Sequence, residues 1–302
     1  MDGVLVIDKP KDYTSFDVVA KVRKLTKEKK IGHTGTLDPL ATGVLVLLLG
    51  NSAKSQIFME EHKKEYVAEL LLGAITDTQD ITGNVIKEVK SNVSKEEFED
   101  SIKDFIGDVY QIPPMYSAIK KNGKKLYELA REGNEVEREK RKIKIYNIDL
   151  LDYNREKQMA TIKVLCSKGT YIRTLCEDIG NKLGCGGVMT QLRRTRTDGF
   201  SLKESITVQD LEKICNEGNI EEKLLKTEAL FDNLESVNVT KPQAIRFTNG
   251  GGLMLSRVKK INNLKTCKAL RIYYDNTFLG LGEIDNEKEE IRVLRIFNNR
   301  IN

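Results

Sequence analysis

Residues 29–50 run KKIGHTGTLDPLATGVLVLLLG. The apolar part, Val44 to Leu49, stands between Gly43 and Gly50. It is far shorter than the roughly 20 residues a membrane helix needs, and it suits a strand buried on both faces. Just before it lie two glycines, a proline and the polar side chains of His33, Thr34 and Thr36. They predict an irregular loop pinned to that strand. Asp38 is the loop's carboxylate, and Pro39 biases it away from helical backbone. A carboxylate on a rigid loop beside a buried strand is a candidate catalytic group. The same residue can instead close an Asx turn through its own backbone, and local chemistry leaves both readings open.

Upstream, Val4–Ile7 reads as a strand ending at Asp8-Lys9-Pro10. Thr14 and Ser15 cap a helix to about Lys27, with Phe16, Val19, Val22 and Leu25 spaced as core residues. Downstream, a short helix over Ser52–Glu61 precedes a strand over Lys64–Gly73 that carries Tyr66. Ser94 to Glu97 is a capping box opening a helix with Phe98, Ile102 and Phe105 on one face. Strands follow over Ile143–Asp152 and Gln158–Ser167. In the second, Ala160, Ile162, Val164 and Cys166 share a side, which makes Cys166 a small buried hydrophobe.

Gly169-Thr170 then leads into a helix ending near Leu183, with Tyr171 and Arg173 in its first turn. An arginine there opposes the helix dipole and needs an anionic partner. Leu192-Arg193-Arg194-Thr195-Arg196 reads as an edge strand whose arginines are solvated or meet phosphates. Thr207 caps a further helix through Cys215. Beyond Phe231 come short β-like runs at Ser236–Val239, Ala269–Tyr274, Phe278–Gly282 and Ile291–Ile296, a small all-β module.

At 302 residues, 39% hydrophobic and 31% charged, the chain has the composition of a soluble one- or two-domain protein. No leader or membrane-length run is present, and five cysteines without a C-x-x-C pair point to a reduced, cytoplasmic protein. With His33 and His62 as the histidines, no metal site is expected. No phosphate- or dinucleotide-binding glycine pattern is present, so no cofactor is expected. The net charge of +5 is concentrated: Lys120–Lys144 holds ten Lys or Arg against five Glu. Such a stretch suits a polyanion, or a solvated helix face laced with glutamates. Sparse in apolar residues, it is expected to be held loosely.

GHTGTLDPLATGVL at 32–45, the Lys64-Glu65-Tyr66 strand entry, SKGTYIRTL at 167–175 and LRRTR at 192–196 together resemble the signatures of the TruB family, the bacterial tRNA pseudouridine-55 synthases. Gly187-Val188-Met189 departs from the family's usual alanine-containing pattern. The resemblance implies an α+β fold: a mixed, largely antiparallel sheet as catalytic domain over 1–231, with a basic RNA-clamping insertion at about 116–144. A small PUA-like β-barrel over 236–302 would follow. It implies Asp38 as the catalytic residue, Tyr66 as the active-site tyrosine and Arg173 as the bidentate partner of Asp38. On the substrate side it implies His33 as wedge or loop scaffold, Leu192 lining the base pocket, and Tyr171, Lys9 and Arg193 nearby, Lys9 with a supporting role. The substrate implied is uridine 55 in the T stem-loop of tRNA, modified by a monomer needing neither cofactor nor obligatory protein partner. The alternatives are a non-catalytic RNA-binding or RNA-folding protein on this scaffold, and a guide-dependent, dyskerin-like synthase.

Overall fold

The apolar run forms the strand Thr42–Leu49 in a computed structural model that describes residues 1–59, 63–258 and 269–298. Its two faces serve different cores, which is why it is apolar throughout instead of alternating. Leu45, Leu47 and Leu49 pack with Val18, Val19 and Val22 of the helix Ser15–Thr26. Val44, Val46 and Leu48 pack with Phe200, Phe231 and Leu281.

The main sheet is mixed and largely antiparallel. Its strands lie in the order Ile206–Thr207, Gly3–Lys9, Thr42–Leu49, Gly187–Thr197, Lys64–Leu72, Met159–Cys166, Arg141–Asn154, Gly107–Gln111. Parallel pairing occurs at Gly3–Lys9 with Ile206–Thr207 and at Thr42–Leu49 with Gly187–Thr197. The second of these is a seam. It is paired only at Arg193↔Thr42 and Arg194↔Gly43, near the middle of the sheet. Beyond the seam, Tyr66, Ala68, Leu70 and Leu72 share a core with Ala160, Ile162, Val164 and Cys166. Phe98 and Ile102 of the helix Lys95–Lys103 and Leu175, Cys176 and Ile179 of the helix Ile172–Lys182 cover that core. Cys166 is fully buried there and its thiol is pushed up to about 11, so it is an inert packing group.

The second sheet has five strands, in the order Ser236–Asn238, Leu270–Tyr274, Thr277–Asp285, Glu290–Ile296, Leu253–Met254, over its own core. Its end strands do not pair with each other among the described residues, giving a PUA-like half-barrel and not a closed one. The basic stretch forms a two-stranded hairpin, Lys120–Lys121 with Lys124–Lys125, and a short helix, Leu126–Arg131. Leu126 is its buried apolar anchor.

Three expectations change. Phe16 is not core: its side chain is 69% exposed. Steps of three residues fall about 60° short of a full turn, so the true buried face runs through Ser15, Val18, Val19 and Val22 and leaves Phe16 outside. The arginine-bearing strand is not an edge: Gly187–Thr197 is flanked on both sides. The segment after Leu49 is a 3-10 helix over Gly50–Phe58, and the expected helix end at residues 60–61 lies outside the described residues, as do His62 and Cys267.

Gly43 makes the seam possible. Its φ is +102°, and a Cβ there would meet the Arg194 carbonyl oxygen at 2.2 Å. Gly43→Ala is therefore expected to lose about 3 kcal/mol in equilibrium denaturation. Gly32→Ala, where an added Cβ meets nothing within 4 Å, should be near neutral. Equal stability of the two variants would contradict this account of the seam.

Candidate active site

The Asp38 loop fills the seam, and three side chains fix its backbone. Lys9, fully buried, donates from Nζ to the carbonyls of Pro10 (2.9 Å), Tyr13 (2.5 Å) and Pro39 (3.4 Å). Burial pulls its ammonium down to about 8 against the opposing charge of Asp38. Ser15 Oγ accepts from Leu37 N at 2.9 Å and donates to Leu37 O at 3.2 Å. Arg194, also fully buried, donates from Nε to Val44 O (2.7 Å), from Nη1 to Thr36 O (3.4 Å) and from Nη2 to Gly35 O (3.1 Å). Both neighbours of Asp38 are thus tied down, and Ala41 N closes the turn onto Asp38 O at 3.1 Å.

Asp38 itself stays reachable, its side chain 40% exposed, while its partner Arg173 is 5% exposed. Arg173 Nε lies 3.0 Å from Asp38 Oδ2 in an ion pair. The resemblance led us to expect a bidentate pair, but the two terminal nitrogens donate elsewhere. Nη1 donates to Thr78 O at 3.0 Å and lies 3.7 Å from Asp80 Oδ2, and Nη2 donates to Tyr116 O at 2.8 Å. Asp80 is buried and accepts from Thr78 Oγ1 (2.9 Å), Thr82 N (3.0 Å) and Thr82 Oγ1 (2.5 Å). The guanidinium therefore stands between two carboxylates. Gln79 braces this loop against the Arg173 helix, its amide bonding Glu177 and accepting from Thr174 Oγ1.

Tyr66 and Leu192, both buried, face the same side of the sheet as Arg194, since Leu192 opposes Ala68 and Arg194 opposes Tyr66. Burial pushes the Tyr66 hydroxyl up and the charge of Arg194 works against that; Asp38 is close enough to be felt. Tyr171 caps the Arg173 helix, with its backbone N and O held by Gln111 at 2.8 and 3.0 Å. Its hydroxyl is likewise raised by burial and also feels Asp38. His33 ends the short strand Ile31–His33; its ring meets Phe16 edge-on, 5.6 Å between centroids, and Nδ1 has no hydrogen-bond partner among the described residues. Burial and the charges of Arg194 and Lys64 press its imidazole below the ordinary 6.5, so it is neutral at pH 7.

The structure thus gathers Asp38, Tyr66, Tyr171 and Arg173 about one point, with Leu192 beside Tyr66 and His33 on the loop's approach. Lys9 is spent on backbone carbonyls. Arg193 points to the opposite sheet face and forks onto Asp8, Nη1 to Oδ1 at 3.1 Å and Nη2 to Oδ2 at 2.7 Å. Sequence reasoning read Arg194 as solvated or phosphate-facing and gave Asp80 no site role. The signal for Arg194 was present: alternation puts it inward beside Leu192, and an inward arginine needs acceptors.

A model of the N-terminal domain of TruB family pseudouridylate synthases matches residues 23–172, and one of the tRNA pseudouridylate synthase B C-terminal domain matches 173–237. The chain is 46% identical to the tRNA pseudouridine synthase B of Clostridium tetani, over 98% of this chain and 99% of that one. Against the protein of the same name from Alkaliphilus oremlandii it is 42% identical, over 98% of each. Among solved structures, a chain from the crystal structure of a Cbf5–Nop10–Gar1 complex superimposes with a TM-score of 0.75 at 27% identity, over 98% of this chain and 85% of that one.

Arg194→Met should cost about 3 kcal/mol in denaturation, because it strands the buried Val44 carbonyl and the part-buried carbonyls of Gly35 and Thr36. Arg193→Met, which loses a half-exposed pair with Asp8, should cost less than about 1 kcal/mol. The reverse order would refute the clamp. The unfolded chain protonates His33 more readily than the folded one, so stability should fall as pH drops through 6.5 toward the lower folded value. His33→Asn should flatten that decline in Tm, and an unchanged slope would contradict the burial of this ring.

Proposed function

We propose, because this chain belongs to the TruB family of pseudouridylate synthases, which act on tRNA, that it converts uridine 55 of the T stem-loop to pseudouridine without a guide RNA. The observation that carries the proposal is the pairing of a reachable carboxylate with a buried cation: Asp38 at 40% exposure, 3.0 Å from Arg173 at 5%. A solvated aspartate in a turn has no need of such a partner. A carboxylate that must stay ionised while RNA covers it does.

In this reading the target base leaves its stack, at an unstacking cost of a few kcal/mol. Tyr66 offers the ring on which the uracil stacks, and Leu192 lines the slot. The bond from ribose C1′ to uracil N1 breaks, the uracil turns, and C5 bonds to C1′. C5 gives up its hydrogen and N1 gains a proton, so the change is an isomerisation. Asp38 either adds to the sugar or takes a ribose proton; both routes use the carboxylate that Arg173 positions. His33, neutral and at the loop's entrance, is the wedge that replaces the departing base. The basic insertion at 116–144 clamps the T arm from one side and the C-terminal half-barrel supports it from elsewhere, through phosphates and shape. Because the insertion supplies its own RNA grip, we favour a stand-alone enzyme over a guide-dependent one or a pure binding protein.

Purified protein in EDTA should release the C5 hydrogen of an unmodified, guide-free tRNA transcript. Asp38→Asn should bind that transcript while losing more than about a thousandfold in release. Release by the variant at the wild-type rate would remove Asp38 from the chemistry, and dependence on added guide RNA would favour the rival enzyme class.

A further inference from the structure

Phe16 has no role in the core, yet it is not on a loose segment. Thr14 caps its helix with a full capping box. The next residue, Ser15, is fastened to Leu37, the neighbour of Asp38. Lys9 ties Tyr13 O and Pro39 O to one ammonium. The turn from Tyr13 to Phe16 is therefore bolted to the Asp38 loop at both ends. On this mount stands a phenyl ring 69% exposed, with Tyr13 beside it at 37%. Among the described residues its ring contact is His33, at an interplanar angle of 83°.

Exposure alone would not single Phe16 out, since Ile57 and Tyr110 are as exposed; its rigid mount beside the Asp38 loop and its ring contact with His33 do. Two rings at right angles make a corner, one offering a face and the other a wall. The corner is continuous with the loop that carries Asp38, and the charges of Lys64 and Arg194 reach its His33 side. Positive charge interleaved with aromatic faces is the chemistry that receives unstacked nucleobases, and it suits an anionic strand better than an apolar protein surface.

We propose that Phe16 and His33 form a stacking corner for a nucleobase flanking the target uridine, so that Phe16 sets affinity for the opened RNA loop. This rests on the RNA-modifying reading above. Extruding one base leaves its neighbours without a stacking partner, and the corner supplies a π-face to one of them. Phe16 is a positioning residue: it touches RNA outside the reacting uridine and leaves the chemical step alone.

The test uses the full-length protein and an unmodified tRNA transcript, with KM and kcat read from C5-hydrogen release and Tm from thermal unfolding. Phe16→Ala should raise KM roughly tenfold with kcat within about twofold of wild type and Tm unchanged. Phe16→Tyr should restore KM, and Phe16→Leu, apolar but without a π-face, should not. An unchanged KM in Phe16→Ala with active wild type overturns the stacking corner alone. Rescue by Phe16→Leu as complete as by Phe16→Tyr also overturns it, in favour of a plain apolar contact such as a protein partner makes. Wild type that releases no C5 hydrogen overturns the functional reading and the corner together.

Discussion

A guanidinium held at 5% exposure is tolerated in the interior only if its donors are met. Those of Arg173 are met by three loops far apart in sequence: Asp38 on the seam, Thr78 with Asp80 behind it, and Tyr116 at the root of the basic stretch. One side chain thereby sets the relative positions of all three. With its two terminal nitrogens committed to the fold, Nε is the arm that faces Asp38, whose side chain stays 40% exposed. A bidentate grip would have held the acid more tightly but buried more of it. The single contact orients Asp38 and leaves it accessible, which is what a reacting group requires.

That arrangement depends on where the sheet divides. Thr42–Leu49 and Gly187–Thr197 pair over two residues, and the loop carrying Asp38 runs straight into that short pairing at Thr42. Close approach at Gly43 and the reach of Arg194 to Gly35, Thr36 and Val44 take the place of the missing ladder bonds. A buried arginine in a sheet interior is costly unless each donor finds a carbonyl, and here the loop supplies them. Loop and arginine are thus conditions for each other.

Much of this was legible in the chain itself. The apolar run gave a strand buried on both faces because two cores claim it, and the caps at Thr14, Ser94 and Thr207 fell where their sequence motifs put them. The need of Arg173 for an anion followed from its place in a helix's first turn. What escaped depended on tertiary geometry. Phe16 was misplaced because a three-residue spacing mimics a helical stripe while drifting off the buried face. The run of arginines looked solvated because the strand read as an edge; alternation turns Arg194 inward with Leu192 and Arg193 outward, and the sheet order shows both edges of that strand covered by neighbours. Asp80 gave no local sign, since its importance lies in a 3.7 Å approach to a residue 93 positions away.

The central claim is that Arg173 holds Asp38 ready for chemistry and does not itself hold the RNA. Single-turnover release of C5 hydrogen at saturating transcript, compared between wild type and Arg173→Met, addresses it directly. We predict a rate constant lower by about a thousandfold with an unchanged Kd for the transcript. A variant that reacts at the wild-type rate once saturated, having lost only affinity, would contradict the account.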